Sequence, residues 1–479
     1  MPIKENKENR SFASISARSF ISVVAVLSAV LIICGVLSYF IPQGSFERDA
    51  EGAIILGTYS QSEVSGIAAW RIITAPFRVF VSEDAVTVIM ISVFLLIMSG
   101  IFNLLEKTGG VRIFIGRTVR RMYGKSTHVL CATVLIFMLF GSFFGMFEEL
   151  ITLLPIIVAF MLSLGLDTMM GLGTCLLATC FGFSAATTNP FSVGLAAHIA
   201  GVDTSTGILL RVLFFIITYV LLCGFLIIHF KRIKKRPESS PSYDIDLEKR
   251  ESLDFGTVEE SKENQRTFRA FAIFFGIQAA ILLLIASIRT ISGYAIPILA
   301  LSFLVSGIIT GLYVCHSPRE VAKHISKGAV AMLPAVFMIA LASSAKLVMS
   351  ESGILDTVMY EIISLLENKN PFVAILLIYA ITLVLQVFIG SASAKIFLIM
   401  PIIMPVATAL GLSPALIILA YCMADGFTDV ILPTNPVLLV GLSMANVSYV
   451  KWLKWTWKLQ VVILIISLAT LMFGVLVGY

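Results

Sequence analysis

The stretches CFGFSAATTNPFSVGLAAHIAG at 180–201 and DGFTDVILPTNPVLLVGLSMAN at 425–446 decide the fold of this chain. Both contain T-N-P, and the two Asn-Pro pairs lie 246 positions apart. The surrounding apolar segments, 169–200 and 413–445, would each form a straight helix ~50 Å long at ~1.5 Å per residue. A bilayer core is ~30 Å thick, so each segment must break, bend or tilt.

Proline lacks a backbone N–H and clashes with the preceding turn, so Thr187–Asn189 and Thr434–Asn435 are predicted to leave helical geometry. Unwound backbone at membrane depth is tolerated only where protein or a watery cavity satisfies it. Freed carbonyls, amides and hydroxyls can coordinate a cation, and the N-terminus of the following half-helix favours a carboxylate. The alternative is a proline kink that neighbouring helices satisfy. The substrate-site residues predicted from this pattern are Thr188, Asn189, Thr434 and Asn435.

Composition predicts a membrane protein. The 479 residues are 58% hydrophobic and 13% charged, and many apolar runs are long enough to cross a bilayer. The net charge of +5 does not indicate nucleic acid, because the basic residues cluster between apolar runs. The seven cysteines show neither a disulfide framework nor metal-ligand spacing. The predicted full crossings are 20–41, 86–105, 169–200, 207–230, 268–288, 292–314, 329–349, 413–445 and 458–478, with two further apolar pairs at 127–163 and 372–410.

The charges between spans predict the orientation. Basic clusters at 107–125, 231–236, 319–327 and 451–458 all fall inside if the N-terminus is inside. The first apolar run is longer than the core of a signal peptide, and no cleavage site follows it. We therefore predict a multi-pass protein of the inner (plasma) membrane with a cytoplasmic N-terminus.

Four short sequence segments of the first half resemble four segments of the second half. They occur in the same order and at a nearly constant offset, which predicts an internal repeat. The orientation inverts the second copy, because the span at 268–288 adds one crossing. Inverted repeats place a substrate site near the midplane, at the repeat interface. The polar stretch between the halves is predicted to be a solvated, partly disordered linker. The predicted organisation is a cytoplasmic segment at 1–19, a first repeat at 20–230, a cytoplasmic linker at 231–267, an extra transmembrane helix at 268–288 and a second repeat at 289–479.

Two small-residue tips lie inside the apolar pairs. GSFFG at 141–145 follows an arm, 127–140, that at ~1.5 Å per residue is only ~21 Å long and too short to cross. A re-entrant hairpin is therefore predicted there. GSASA at 390–394 follows a longer arm, 372–389, which fits either a hairpin or two crossings. Both tips are predicted to line the substrate site, and a plain small-residue helix contact is the alternative.

Five charged residues fall within apolar segments: Glu148, Glu149, Lys395, Asp425 and Asp429. Charges at membrane depth are costly, so they are expected to be functional. Asp425 and Asp429 are four apart and are predicted to share a helix face. Four acids near one lysine favour a substrate with a cationic group, or proton coupling, over a dianion. Pairing of Lys395 with one of the carboxylates is the alternative.

The segments GSFFGMFEELITLLP, GFSAATTNPFSVGLAAHIAG, GSASAKIFLIMPIIMP and DGFTDVILPTNPVLLVG together resemble the YfcC-like branch of the C4-dicarboxylate anaerobic carrier family, within the ion transporter superfamily. The resemblance implies an all-α homodimer with two inverted repeats, two re-entrant hairpins and two broken helices, working as an elevator-type transporter. The tips depart from the Ser-Asn-Thr tips of sodium-dicarboxylate relatives, which argues against dicarboxylates and a strict sodium site. The residues that the resemblance carries over are Ser142, Glu148, Glu149, Thr188, Asn189, Ser391, Ser393, Lys395, Asp425, Asp429, Thr434 and Asn435.

The sequence therefore predicts a secondary active transporter of small organic solutes, with basic amino acids favoured. The alternative is a C4-dicarboxylate or peptide-like acid carrier driven by a sodium or proton gradient. No hydrolase motif and no nucleotide-binding loop occurs, so neither an enzyme nor direct ATP drive is expected. No cofactor or protein-bound metal is expected. The expected partners are a small-molecule substrate, membrane lipids and a second copy of the chain.

Overall fold

Helices make up most of the computed structural model, which describes residues 17–47, 58–62, 66–82, 85–109, 113, 126–148, 150–253, 262–287, 295–366, 369–390 and 392–479. An apolar run folds as a helix because a helix satisfies its own backbone hydrogen bonds. The helices are α1 (Ala17–Leu37), α2 (Ala69–Arg78), α3 (Ala85–Lys107), α4 (Ser126–Phe144), α5 (Leu154–Ser163), α6 (Thr168–Ser184), α7 (Pro190–Ile199), α8 (Ile208–Lys235), α9 (Tyr243–Leu253), α10 (Lys262–Ser287), α11 (Ala295–Cys315), α12 (Pro318–Glu351), α13 (Ile354–Leu366), α14 (Pro371–Phe388), α15 (Ala392–Ala409), α16 (Pro414–Phe427), α17 (Pro436–Met444) and α18 (Tyr449–Val477).

Each predicted crossing overlaps a helix or a broken pair of helices. Among the described residues, seven helices are long and apolar enough to cross a membrane: α3, α4, α8, α11, α12, α14 and α18. Helix α12 has 34 residues and extends well beyond the predicted span 329–349. The short helices α2 and α13 have no counterpart among the predicted spans. The inversion of the two copies stays a prediction.

Both T-N-P segments are broken, as predicted. Helix α6 ends at Ser184, and helical geometry resumes at Pro190 with a five-residue π segment. Helix α16 ends at Phe427, a 3-10 turn follows at Thr428–Val430, and α17 begins at Pro436. Each break begins a few residues before the predicted tripeptide.

The argument that the arm 127–140 is too short to cross was wrong. Helix α4 continues to Phe144, and its last five residues, Phe140–Phe144, adopt π geometry. With 19 residues it is long enough and apolar enough to cross. The returning arm α5 has only 10 residues. A re-entrant hairpin at this position stays a prediction.

Helices α3 and α12 pack closely against each other, and α12 also contacts α17. Ser99 Oγ donates to the carbonyl of Gly328 at 2.8 Å, and Asn103 donates to the carbonyl of His324 at 2.7 Å. A side chain at Gly328 would collide with the Ser99 carbonyl at 2.4 Å. The backbones therefore approach closely, and α1, α11 and α2 pack around this pair.

A two-stranded hairpin covers helix α13. Strands β1 (Gln43–Ser45) and β2 (Ser60–Ser62) are antiparallel, with Gln43 opposite Ser62. Tyr59 stacks on Tyr360 with ring centroids 4.2 Å apart. These contacts hold the segment after α1 against the second half of the chain.

The linker is more ordered than the sequence predicted. Residues 231–235 complete α8, and a 3-10 turn at Pro237–Ser239 leads into α9, while α10 begins at Lys262. Helix α9 docks against the start of α6 through buried hydrogen bonds. Most described residues of the linker are exposed, as expected of a solvated segment, whereas Ser240, Ser242 and Asp246 are buried. Residues 254–261 lie outside the described residues.

Two glycines allow close approach at the broken helices, one where α16 crosses α6 and one where α6 packs against α4. A methyl group at Gly426 would lie 2.4 Å from Ser184 Oγ and 3.1 Å from the Cys180 carbonyl. Gly182 faces α4, where a methyl group would lie 2.1 Å from the Met138 carbonyl. The crossing of α16 over α6 therefore requires a residue without a side chain at Gly426. The packing of α6 against α4 requires one at Gly182.

We expect Gly182→Ala to lower the apparent Tm of the detergent-solubilised protein by about 1–3 °C, because overpacking against backbone costs about 1–3 kcal/mol and a chain of this length unfolds with an entropy of about 1 kcal/mol per kelvin. Gly224→Ala is the matched control, since a methyl group on that α8 residue meets nothing within 4 Å. A thermal melt of each variant measures the effect. Equal Tm values for Gly182→Ala and the wild type would contradict the close contact.

Candidate substrate site

The first break is held by the end of helix α4. The carbonyl oxygen of Ser142 accepts hydrogen bonds from the N–H groups of Thr187, Thr188 and Asn189 at 3.1, 3.3 and 3.1 Å. The Ser142 hydroxyl donates to the carbonyl of Ala185 at 2.7 Å. Ser142 therefore supplies hydrogen-bond partners for most of the backbone groups that the break leaves without helical partners.

Asn189 caps the half-helix that follows this break. Its Oδ1 accepts a hydrogen bond from the N–H of Phe191 at 2.9 Å, and Pro190 occupies the first helical position. Gly145 has φ +67°, and a side chain there would lie 2.2 Å from the same Oδ1. The Nδ2 of Asn189 is buried and has no hydrogen-bond partner among the described residues. Buried donors usually have a hydrogen-bond partner, so this one marks a candidate contact for a ligand.

The second break folds around a carboxylate. Asn435 Oδ1 caps α17 by accepting from the N–H groups of Val437 and Leu438 at 2.9 and 3.4 Å. Its Nδ2 donates to Asp429 Oδ1 at 2.7 Å. Gln386 of α14 donates to the same oxygen. Two side-chain amides therefore hold Asp429 beside the break.

A buried ion pair lies next to this carboxylate. Lys395, in the first turn of α15, donates to Asp425 Oδ1, and the two side chains are 0% and 1% exposed. The other oxygen, Asp425 Oδ2, is buried and has no partner in the described part of the chain. The pairing that the sequence left open as an alternative is therefore present, and one acidic oxygen remains available.

The structure does not support one shared helix face for Asp425 and Asp429. Helix α16 ends at Phe427, so α-helical spacing does not extend from one residue to the other. Asp425 meets Lys395, whereas Asp429 meets Asn435 and Gln386. The cluster described here contains two carboxylates and one ammonium, a smaller acidic excess than predicted.

The other predicted residues fall into three groups. Thr188 Oγ1 donates to the Phe143 carbonyl at 3.3 Å, at the edge of the first break. Glu148 and Thr434 are half-buried. Glu149 and Ser391 lie outside the described residues, as does the side chain of Ser393.

Gln386 is the residue that sequence reasoning missed. It is 1% exposed and lies in the last turns of α14, within an apolar run. A polar side chain within an apolar run indicates a functional position, as a charged side chain does, and this signal could have identified the residue. Its Oε1 is buried without a hydrogen-bond partner in the described ranges. Within those ranges no group of three or more His, Cys, Asp and Glu residues could hold a metal ion.

Helices long enough to cross a bilayer, two helices broken at buried Asn-Pro pairs and an ion pair beside them are typical of a multi-pass membrane transporter. The chain belongs to the C4-dicarboxylate anaerobic carrier (DcuC) family, whose model matches residues 20–476. The resemblance found in the sequence is thereby confirmed.

Two relatives cover most of the chain. The "Putative basic amino acid antiporter YfcC" of Escherichia coli K12 is 25% identical over 406 residues, which are 82% of this chain and 79% of the relative. An uncharacterized protein of Haemophilus influenzae Rd is 26% identical over 377 residues, or 78% and 72% of the two chains.

Two solved transporters are similar to the whole chain. The YdaH transporter of Alcanivorax borkumensis has a TM-score of 0.44 at 16% identity and covers 96% of this chain and 98% of its own. MtrF of Neisseria gonorrhoeae, described as illuminating a class of antimetabolite efflux pumps, has a TM-score of 0.43 at 14% identity and covers 94% of both chains. The assignment to the family rests on the family model and not on these two structures.

We expect Asp425→Asn to destabilise the protein by about 3–5 kcal/mol, because it leaves the ammonium of Lys395 buried without a counter-charge. The double variant Lys395→Met/Asp425→Leu removes both charges and is expected to recover most of that loss. Thermal melts of Lys395→Met, Asp425→Leu and the double variant form the cycle that measures the coupling.

Glu351→Gln is the control for the loss of a carboxylate. Glu351 pairs with Arg78, and their side chains are 21% and 27% exposed. Such a pair contributes about 0–1 kcal/mol. Equal effects of Asp425→Asn and Glu351→Gln, or a double variant no better than the single ones, would contradict the buried pair.

Proposed function

We propose that this protein is a secondary transporter that takes up or exchanges amino acids, with basic amino acids as the favoured substrates. The observation that carries the proposal is the buried Asp425 beside Lys395, with one carboxylate oxygen left without a partner in the described residues. The printed name of the Escherichia coli relative supports the same class of substrate.

The unpartnered polar atoms match the groups of an amino acid. Asp425 Oδ2 and Gln386 Oε1 can accept hydrogen bonds, and Asn189 Nδ2 can donate one. An ammonium or guanidinium group would bind the acceptors, and a carboxylate would bind the amide and the half-helix N-terminus that begins at Pro190. A zwitterionic substrate with an additional positive charge has groups for both the acceptors and the donors.

Lys395 has a direct part in this scheme. Its ammonium compensates the charge of Asp425. A cationic substrate that binds Asp425 displaces this ammonium, and the displaced lysine then loses its proton or pairs with another group. The exchange of one cation for another keeps the buried carboxylate compensated at each step, which the cost of an isolated buried charge requires. Proton coupling follows naturally from a lysine that is displaced, and sodium coupling is the alternative.

The remaining predicted residues complete the proposal. Ser142 and Thr188 shape the first break through their contacts with the tip and the unwound backbone. Asp429, Thr434 and Asn435 form the second break, and we place Glu148, Glu149, Ser391 and Ser393 at the two tips. We also propose that the protein works as a homodimer with an elevator-type movement of the segments that contain these residues.

Uptake of radiolabelled arginine into proteoliposomes loaded with ornithine tests the proposal. We expect Asp425→Asn to lower arginine uptake about 100-fold, because removing one member of a buried hydrogen-bonded charge pair costs about 2–5 kcal/mol. Glu351→Gln is expected to transport like the wild type. Uptake rates are compared only for variants that remain monodisperse.

The amino acid proposal is wrong if the wild-type protein takes up no arginine with a sodium gradient, with a proton gradient or with ornithine inside the liposomes. Uptake of succinate that Lys395→Gln abolishes and Asp425→Asn leaves intact would favour the dicarboxylate alternative instead.

A further inference from the structure

The ordered part of the linker binds both broken helices at their ends. Helix α9 and the turn before it place Ser240, Ser242, Asp246, Lys249 and Arg250 against the protein, and we call these five residues the linker clamp. Their partners belong to segments on either side of the linker in the sequence.

Asp246 binds the start of the first broken helix. Its Oδ1 accepts a hydrogen bond from the N–H of Thr168 at 3.1 Å, and its Oδ2 accepts one from Ser242 at 2.8 Å. Thr168 is the first residue of α6, where unpaired N–H groups and the helix dipole favour a negative charge. Asp246 therefore acts as an additional cap supplied by the linker.

Asp167, the N-cap residue of α6, gives the clamp a second anchor. Its Oδ1 accepts from the N–H of Met170 at 2.8 Å, and its Oδ2 accepts from Ser240 of the clamp at 2.7 Å. His229 Nε2 lies 2.8 Å from the same Oδ2. Trp455 donates to Nδ1 of His229, so Nε2 carries the proton and donates to Asp167. The start of α6 is thereby joined to the linker and to α8.

Lys249 connects the two broken helices directly. Its ammonium donates to the carbonyl of Ala445, the C-cap residue of α17, at 2.8 Å and to Thr168 Oγ1 at 3.3 Å. A cation at a helix C-terminus compensates the carbonyls that the helix leaves unpaired. Arg250 donates to the carbonyl of Leu166, just after α5, at 2.6 Å. One lysine therefore contacts the first broken segment and the second.

Two of the three charged residues of the clamp lose contact with water when the linker docks, because Asp246 is buried and Lys249 is half-buried. Burial raises the pKa of the Asp246 carboxyl, and burial lowers the pKa of Lys249 to about 8 while the charge of Asp246 opposes this change. The hydrogen bonds of the docked linker therefore have to offset the cost of removing these two charged groups from water.

We propose that the linker clamp fixes the two broken helices to each other, so that they and α9 form one rigid unit during transport, with Lys249 as the positioning residue that joins them. The proposal rests on the proposed function only in that these two segments hold the substrate site. The linker is thus part of the transport machinery and not a passive connection between two halves.

Hydrogen–deuterium exchange of the full-length protein tests the connection without reference to any substrate. We expect Lys249→Met to speed exchange about tenfold in two separate peptides, one covering 164–172 and one covering 441–447, because each loses a charge-assisted hydrogen bond. Lys249→Arg is expected to restore slow exchange. Lys235→Met, which removes an exposed lysine at the end of α8, is the matched control. Faster exchange confined to α9 itself would overturn the proposal.

A cross-link tests whether α9 can stay attached to the start of α6 throughout transport. The variant Thr168→Cys/Asp246→Cys places a disulfide where the carboxylate meets the helix N-terminus, and peptide mass spectrometry verifies that bond among the seven native cysteines. We expect the oxidised protein to keep at least about half of the arginine uptake of the same protein reduced. Loss of uptake on oxidation that dithiothreitol restores would overturn the rigid unit. If the protein transports no arginine at all, the proposed function fails, while the exchange experiment still decides the clamp.

Discussion

Backbone that leaves helical geometry in an apolar interior must find new hydrogen-bond partners, and this constraint governs the centre of the molecule. At both Asn-Pro pairs the asparagine side chain supplies the first partner, since Asn189 accepts from Phe191 and Asn435 accepts from Val437 and Leu438. Proline follows at the first helical position, where its missing N–H costs nothing. The breaks are therefore fixed structures, and the groups beside them are held in place before any substrate arrives.

The two breaks meet this constraint by different means, and the difference has a chemical consequence. The first is satisfied by neutral groups, above all the carbonyl oxygen of Ser142. The second is built around Asp429 and lies beside the Lys395–Asp425 pair. Charge is thus concentrated at one break, while the other presents an amide donor and a half-helix N-terminus. A ligand with its positive group at the second break and its carboxylate at the first matches this asymmetry.

The sequence predicted what depends on local chemistry and missed what depends on distant contacts. The breaks follow from proline, and the helix positions follow from apolar runs, so both were predictable. The same local signals occur in both halves of the chain, because Asp167 and Ser413 are N-cap residues 246 positions apart, like Asn189 and Asn435. The π geometry that lengthens α4 has no pattern that periodicity detects. The contact of Gln386 with Asp429 and that of Lys249 with Ala445 join residues 43 and 196 positions apart, which no local pattern encodes.

The places where the broken helices meet bear on how they can move. Helix α16 crosses α6 where Gly426 meets Ser184, and it also contacts α7, the half-helix after the first break. Thr168, the residue that the clamp binds, lies about 24 Å from Ser184 along α6 at ~1.5 Å per residue. An attachment this far from the crossing opposes rotation of α6 against the second broken helix through a long lever arm, so the two hydrogen bonds that Lys249 donates add to the restraint from direct packing. The polar linker, although it contributes nothing to the apolar core, is therefore well placed to hold the two breaks of the proposed substrate site at a fixed spacing.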